Sequence, residues 1–362
     1  MDPLQVLSAT EQVAVHLRKE ILTGRLRGLM PGAERLARGL GVGRETVDCA
    51  LQKLEQEGLL VNQGRRRGRL IQVPLGDLVV PPLRLAILDY DPPAKGEPYM
   101  IELLHLLMLA GHSAFYTKKS LMELNMDVSK IARLVNETAA DAWIVGAGSR
   151  QVLEWFAEQP VPAFAMFGRR RGLPIASVGP EKEAAIIAVV RGLFALGHRS
   201  IVMLTRRERR LPEPGTHERA FLAELTAQGI SPSSYNLPDW DDTVEGFFRT
   251  LDALFKVTPP TALIVDEAHL ITAVLQFCGN RGVRVPQEVS LICTDPHPSF
   301  DWCRPSVAHI HWDVAPVLRR VIRWSDNLAR GKKDRRQTFT KAEFVTGGTV
   351  GPAPNTLSVI KK

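Results

Sequence analysis

Along residues 83–350, short β-rich apolar runs alternate with amphipathic helical stretches. LRLAILDY, HSAFYT, DAWIVGA, PAFAMF, RSIVMLT, TALIVD and VSLICTD read as strands. Residues 97–110, 129–137, 181–197, 218–228 and 268–280 read as helices. Strand and helix in alternation predict a parallel sheet covered by helices on both faces, with ligand positions at the carboxyl ends of the strands. Residues 9–73 follow another pattern. A helix over 9–24 carries Val13, Val15, Leu17, Ile21 and Leu22 and stops at Gly24; a second covers 31–40. After a Gly41-Val42-Gly43 turn, a third over 44–57 places Val47, Ala50, Leu51 and Leu54 on one buried face and stops at Gly58. Two short helices around a glycine-bearing turn form a helix-turn-helix, whose second helix would enter the major groove by its N-terminal end. LLVNQGRRRGRLIQV then reads as two strands around a tip at Gly64–Gly68, a wing loaded with Arg65, Arg66, Arg67 and Arg69.

Between the two patterns, PLGDLVVPP at 74–82 holds three prolines in nine residues, which favours extended backbone and a stiff linker. The expected organisation is a DNA-binding unit at 1–74, a linker at 75–82, a two-lobed body at 83–350 and a tail at 351–362.

Charge sharpens this division. Residues 1–74 hold 12 Lys/Arg against 8 Asp/Glu, and the remaining 288 residues hold 34 against 31. A small basic unit on a nearly neutral body points to a polyanion, double-stranded DNA, as partner of the first part only. No apolar run approaches the ~20 residues of a membrane span. The N-terminal stretch carries acids where a secretory signal would be basic and then apolar, so a cytoplasmic location without membrane contact is expected. Four scattered cysteines, Cys49, Cys278, Cys293 and Cys303, form no C-x-x-C pair and suggest neither a disulfide framework nor a zinc ribbon.

Catalytic signatures are sparse. His309-x-His311 with Asp313 puts two imidazoles on one strand face, yet no further ligand cluster accompanies them. Trp240-Asp241-Asp242 reads as the start of a helix rather than an acid pair. No P-loop, G-x-S-x-G or G-x-G-x-x-G motif occurs. No enzymatic activity, cofactor or metal is expected.

The run ILTGRLRGLMPGAERLARGLGVGRETVDCALQKLEQEGLLVNQG resembles the winged helix-turn-helix of the GntR family of bacterial transcription regulators, over about residues 8–73. That resemblance implies that Arg35, Arg44, Glu45 and Thr46 face DNA, with Gly64, Arg65 and Arg66 at the wing. Asp48 stands where the family usually has a second arginine, and Gly43 replaces its usual serine. GLFALGHRSIVML and PPTALIVDEAHLITAVLQFCGNRGVRVPQEVSLICTD resemble the effector domain of the lactose/galactose repressor family, which shares its fold with periplasmic sugar-binding proteins. The combination is similar to arabinose-repressor-like regulators.

By the same resemblance Asp295 is the carboxylate that accepts ligand hydroxyls. Asp266 and Glu267 stand near the family's asparagine-aspartate pair, and His217 takes the place of its cleft arginine, with Arg219 as substitute. Asp89 and Tyr90, at the end of the first strand, join the candidate cleft. A strand-end carboxylate such as Asp295 is expected to add little to folding stability. The implied function is an operator-binding homodimer, a repressor controlled by a small, sugar-like effector. Two alternatives stay open: a constitutive DNA-binding regulator with a vestigial cleft, and a carbohydrate-active enzyme with a DNA-binding head.

Overall fold

A computed structural model of the chain describes residues 8–22, 26, 28–64, 68–72, 82–92 and 98–354. In the first part α1 (Ala9–Leu22), α2 (Ala33–Leu40) and α3 (Arg44–Gln56) pack around Leu17, Ile21, Val47, Leu51 and Leu54. α1 opens on a reciprocal cap: the Glu11 N–H donates to Ser8 Oγ at 3.3 Å, and the Glu11 carboxylate accepts from the Ser8 N–H at 3.0 Å. Two N–H groups near a bare helix start are thereby satisfied. Val15 is exposed instead of buried, because Val13, Ala14, Leu17 and Ile21 already define the inner stripe and Val15 lies on the opposite side of the helix. Gly41 ends α2 in the left-handed region, at φ 67°, where a side chain would be strained. β1 (Leu60–Asn62) pairs antiparallel with β2 (Arg69–Ile71). Leu29, just before α2, bridges to Leu70 on the other edge of β2.

The body has two lobes. The first holds the parallel strands β3 (Arg84–Leu88), β4 (Ser113–Tyr116), β5 (Ala142–Gly146), β6 (Ala163–Met166) and β7 (Ala176–Glu181), in the order β4-β3-β5-β6-β7. The second holds β8 (Ile201–Leu204), β9 (Ala262–Val265), β10 (Ser290–Cys293) and β11 (Ala308–Trp312), also parallel, in the order β11-β10-β9-β8. β12 (Gln337–Val345) belongs to both. Its first half runs parallel to β7, with Phe339 opposite Gly179; its second half runs antiparallel to β11, with Phe344 opposite Ile310. Among the described strands of the body, the antiparallel pairing of β12 with β11 is the one departure from the parallel arrangement.

Helices cover both faces, as the alternation predicts. α4 (Pro98–Leu109), α5 (Val128–Glu137) and α6 (Arg150–Glu158) flank the first lobe; α7 (Glu183–Ala195), α9 (Thr216–Ala227), α10 (Val244–Val257) and α11 (Ala268–Asn280) flank the second. α8 (Arg207–Arg210) is a single turn after β8. α10 begins two residues past Asp242, capped by Thr243 Oγ1, which accepts from the Gly246 N–H at 3.0 Å. α12 (Val314–Ala329) leaves the second lobe and returns to the first, where Val317, Val321 and Trp324 share a core with Leu85, Ile144 and Phe164. The chain therefore crosses between lobes at residues 181–183, at 312–314 and within β12.

Second-lobe packing continues beyond residue 350. His198 bridges the Thr261 hydroxyl at 3.0 Å and the Gly351 carbonyl at 2.9 Å, and the Ala353 N–H donates to the Leu196 carbonyl at 2.8 Å. The expected linker residues 75–81, most of the expected tail (355–362), Gly24, and the wing-tip residues Arg65, Arg66 and Arg67 lie outside the described residues. Among the described residues no helix is long and apolar enough to cross a membrane.

Candidate functional site

On the N-terminal unit, Arg35, Arg44 and Glu45 are exposed, Thr46 is half-buried and Gly64 is exposed at the described edge of the wing. α3 starts at Gly43 with no side-chain cap, which leaves its first-turn N–H groups open to an anion. Asp48 has a role that its sequence position hides. Its carboxylate lies 3.6 Å from Arg44 Nε and 3.8 Å from a terminal nitrogen of Arg69, while Arg69 also pairs with Glu55. Asp48 thus braces the start of α3 against β2, and its charge is partly neutralised where phosphate would approach.

The second site is a cleft of about 1210 Å³ between the lobes, lined from the carboxyl ends of the parallel strands. Strain is concentrated there: Ala147 (φ 50°), Phe167 (φ 63°) and Glu267 (φ 58°) follow β5, β6 and β9 in the left-handed region, a conformation that non-glycine residues keep only where surrounding structure imposes it. Tyr99, Phe167 and Trp312 form an aromatic wall, with ring centroids 5.4–6.3 Å apart. Below it, Asp295 Oδ1 accepts from Lys182 Nζ at 2.5 Å and from Trp312 Nε1 at 2.9 Å. Lys182 is only 2% exposed. Burial opposes ionisation of Asp295, but Lys182 and Arg209 outweigh it and hold this carboxyl well below the usual range.

Among the described residues, three sets of contacts join the lobes across the cleft. The Tyr90 hydroxyl, from the first lobe, lies 3.2 Å from both Glu208 Oε2 and Asp242 Oδ2 of the second. Arg206 stacks on the Tyr90 ring at 3.7 Å, pairs with Asp91 at 2.9 Å and also binds Glu267. Arg169 donates to the carbonyls of Leu211 at 3.1 Å and Glu213 at 2.6 Å. Burial works against the Arg206 charge, yet Glu267 and Asp91 more than compensate and raise its pKa above that of a free guanidinium. Glu267 itself is pushed up to about 7, first by burial and despite Arg206, with Asp266 adding to the rise. His217 moves the other way: burial, then the Arg209 and Lys182 charges, hold it well below the ordinary imidazole value.

A family model described as "Bacterial regulatory proteins, gntR family" matches residues 9–69, and one described as "Periplasmic binding protein-like domain" matches residues 190–350. The chain joins a gntR-family head to a periplasmic binding protein-like body. The chain is similar to catabolite control protein A of Priestia megaterium, 23% identical over 184 residues, or 49% of this chain and 54% of that protein. The chain thus spans about half the length of this curated relative. Among solved structures, a LacI family transcriptional regulator from Enterococcus faecium with bound ribose superposes with a TM-score of 0.57 at 14% identity, over 74% of this chain and 99% of that one. The lac repressor dimer bound to operator and the anti-inducer ONPF gives a TM-score of 0.59 at 17% identity, over 75% and 95%. At these identities the likeness shows the two-lobed fold.

Within the periplasmic binding protein-like body, Asp89, Tyr90, His217, Arg219, Glu267 and Asp295 all line the cleft. Arg219 is largely exposed and donates to the Pro214 carbonyl at 2.8 Å. Asp266 is a correction: it is wholly buried behind the cleft wall, accepting from the Thr294 hydroxyl at 2.7 Å and lying 3.1 Å from Arg209 Nε. It supports Arg209 instead of meeting a ligand. A second correction concerns Asp295, whose pairing with buried Lys182 makes it part of the hinge-side packing and not a bare strand-end carboxylate. Sequence reasoning missed Lys182, Arg206, Arg209 and Arg170. For Arg206 and Arg209 the run TRRERR directly after the apolar residues of β8 was the available signal, since strand carboxyl ends are where such sheets put ligand groups. Among the described residues no group of three His, Cys, Asp or Glu could hold a metal ion, and His309 instead makes a 2.9 Å contact with the Val307 carbonyl.

Proposed function

We propose that the protein is a sequence-specific transcription regulator, a repressor that binds a double-stranded operator as a homodimer and is governed by a small-molecule effector in the cleft. The observation that carries this reading is the joining, in one chain, of the gntR-type head to a two-lobed body whose lobes are latched across a cleft. The head supplies Arg35, Arg44, Glu45 and Thr46 to the major groove, and the wing adds Gly64, Arg65 and Arg66. Lobe closure is set by the contacts of Tyr90, Arg206 and Arg169. A ligand can shift that equilibrium only by binding the closed and open arrangements differently. The aromatic wall suits the apolar face of a sugar-like ring, and Glu267, Asp89 and Asp295 suit its hydroxyls.

Dimerisation is supported by α4. It is apolar on nearly every side: Met100, Leu103 and Leu107 face the core, while Ile101 and Met108 are 72% and 62% exposed. A helix that is hydrophobic all round calls for a second covering surface, and an isologous pair of α4 helices would supply one.

The test is selection of bound sequences from random duplex DNA with the full chain, followed by operator release on a metabolite panel. A palindromic consensus whose occupancy falls with one metabolite is the expected outcome. A consensus insensitive to every metabolite favours the vestigial cleft, and turnover of a carbohydrate favours the enzyme.

A further inference from the structure

Arg170, in the loop after β6, lines the cleft and is 8% exposed. Among the described residues its guanidinium meets no carboxylate within ion-pair distance, and its Nε has no acceptor. The other buried cations of the body are matched: Lys182 by Asp295, Arg206 by Asp91 and Glu267, Arg210 by Asp239, Arg320 by Asp334. Glu181, the acid whose charge reaches Arg170, is engaged elsewhere, since it pairs with Arg171. A buried arginine with no counter-charge is costly, so something must hold it there.

The surroundings do so. The guanidinium lies over the Phe339 ring at 5.3 Å, directly beside Gly179, the residue paired with Phe339 across β7 and β12. A Cβ on Gly179 would come within 2.8 Å of the Arg170 terminal nitrogen, so the glycine makes the space. Gln337 then pins the loop: its amide donates to the carbonyls of Arg170 at 3.0 Å and Leu173 at 2.7 Å, and its carbonyl accepts from the Gly172 N–H at 3.2 Å. A rigid, desolvated guanidinium with unused planar donors is a receptor for a planar or tetrahedral oxyanion. Burial, with the Arg171 charge second, lowers its pKa to about 10, and it stays charged at neutral pH.

Resting on the reading of the cleft as an effector site, we infer that the effector is anionic, and that its phosphate or carboxylate group docks on Arg170 while its hydroxylated body lies against the aromatic wall.

The experiment is thermal shift and calorimetric titration of the full chain with ribose, glucose, ribose 5-phosphate, glucose 6-phosphate, gluconate and inorganic phosphate, at ionic strength matched with KCl. Wild type is compared with Arg170→Met and Arg170→Lys. At least one anionic compound should bind tenfold or more tightly than its neutral parent; which anion wins separates phosphate from carboxylate. Arg170→Met should erase that advantage while leaving neutral-sugar affinity unchanged, and Arg170→Lys should keep part of it. Without ligand, Arg170→Met should melt no lower than wild type, since no ion pair is lost. Equal affinity for neutral and anionic partners, or anion binding that survives in Arg170→Met, overturns the inference and leaves the effector cleft standing. An Arg170→Met chain that melts lower in plain buffer makes Arg170 a packing residue and overturns it as well. A panel silent for every compound overturns both readings.

Discussion

Asp295→Ala removes the carboxylate paired with Lys182, an ammonium that is 2% exposed. A lysine stranded in such a place either stays charged or gives up its proton. Breaking a buried pair from one side costs about 3–5 kcal/mol. Neutralising a lysine of ordinary pKa about 10.4 at pH 7 costs about 4.6 kcal/mol, at about 1.36 kcal/mol per pH unit, and so caps the loss. The expected destabilisation is therefore about 3–4.6 kcal/mol, or roughly 6–18 °C in melting temperature for a body of this size.

The pH dependence has a definite sign. A stranded lysine binds fewer protons in the folded state than in the unfolded chain, so the variant's stability rises with pH. By pH 9 up to about 2.7 kcal/mol of the loss should return, two pH units at about 1.36 kcal/mol each. Lys182→Met combined with Asp295→Ala removes both charges and should recover most of the loss. Urea unfolding of wild type, the two single variants and the double variant at pH 7 and pH 9 gives all these quantities. An Asp295→Ala protein within about 1 kcal/mol of wild type at both pH values, with no coupling in the cycle, would refute the reasoning.

Four further outcomes are expected. Arg44→Ala should cost about 1–3 kcal/mol on the selected operator if it reads a guanine; equal loss on random DNA, in fluorescence anisotropy, would assign it to phosphate alone. Tyr90→Phe removes one proton shared between Glu208 and Asp242, hence at most one charged hydrogen bond at a time, about 1.5 kcal/mol or a tenfold shift toward open lobes; spin-label distances across the cleft measure it, and an unchanged distribution would exclude Tyr90 from the latch. Met108→Glu should raise the dimer dissociation constant by tenfold or more in sedimentation, through an unpaired charge in the α4 contact; an unaltered dimer would place the interface elsewhere. Glu267 at about 7 takes up a proton on folding between its unfolded value near 4.5 and 7, so its contribution to stability falls as pH rises through that window. Glu267→Gln should flatten this part of the melting profile, and an unchanged slope would show that Glu267 ionises normally.

Much of the fold was legible because binary pattern and element type coincide: the runs around Leu85–Leu88, Trp143–Val145 and Leu263–Val265 are wholly buried strands, and such strands have few other readings. β12 escaped because QTFTKAEFV mixes charged and apolar residues, as suits a strand that changes partners midway and is half exposed. The cleft was half legible. Asp89, Tyr90 and Asp295 end their strands and could be placed by that rule alone. Lys182 and Arg170 could not, since a lone basic residue in a loop reads as solvated until a carboxylate, or the lack of one, is seen beside it. Asp266 misled because it is adjacent in sequence to Glu267, while the chain bend at Glu267 sends the two side chains to opposite sides of the cleft wall.

Three crossings between the lobes leave neither lobe as a continuous stretch of chain. As the protein emerges from the ribosome, the first lobe has strands β3 to β7 by residue 181, yet α12 and the first half of β12 arrive some 130 to 160 residues later. At roughly 5–20 residues per second, that interval lasts on the order of ten seconds. Through that time β7 is an unpaired edge, and the apolar face that Trp324 and Val321 will cover is open to water. Chains cut short between residues 181 and 314 would carry a finished head on an unfinished first lobe, an aggregation-prone species that quality control must clear.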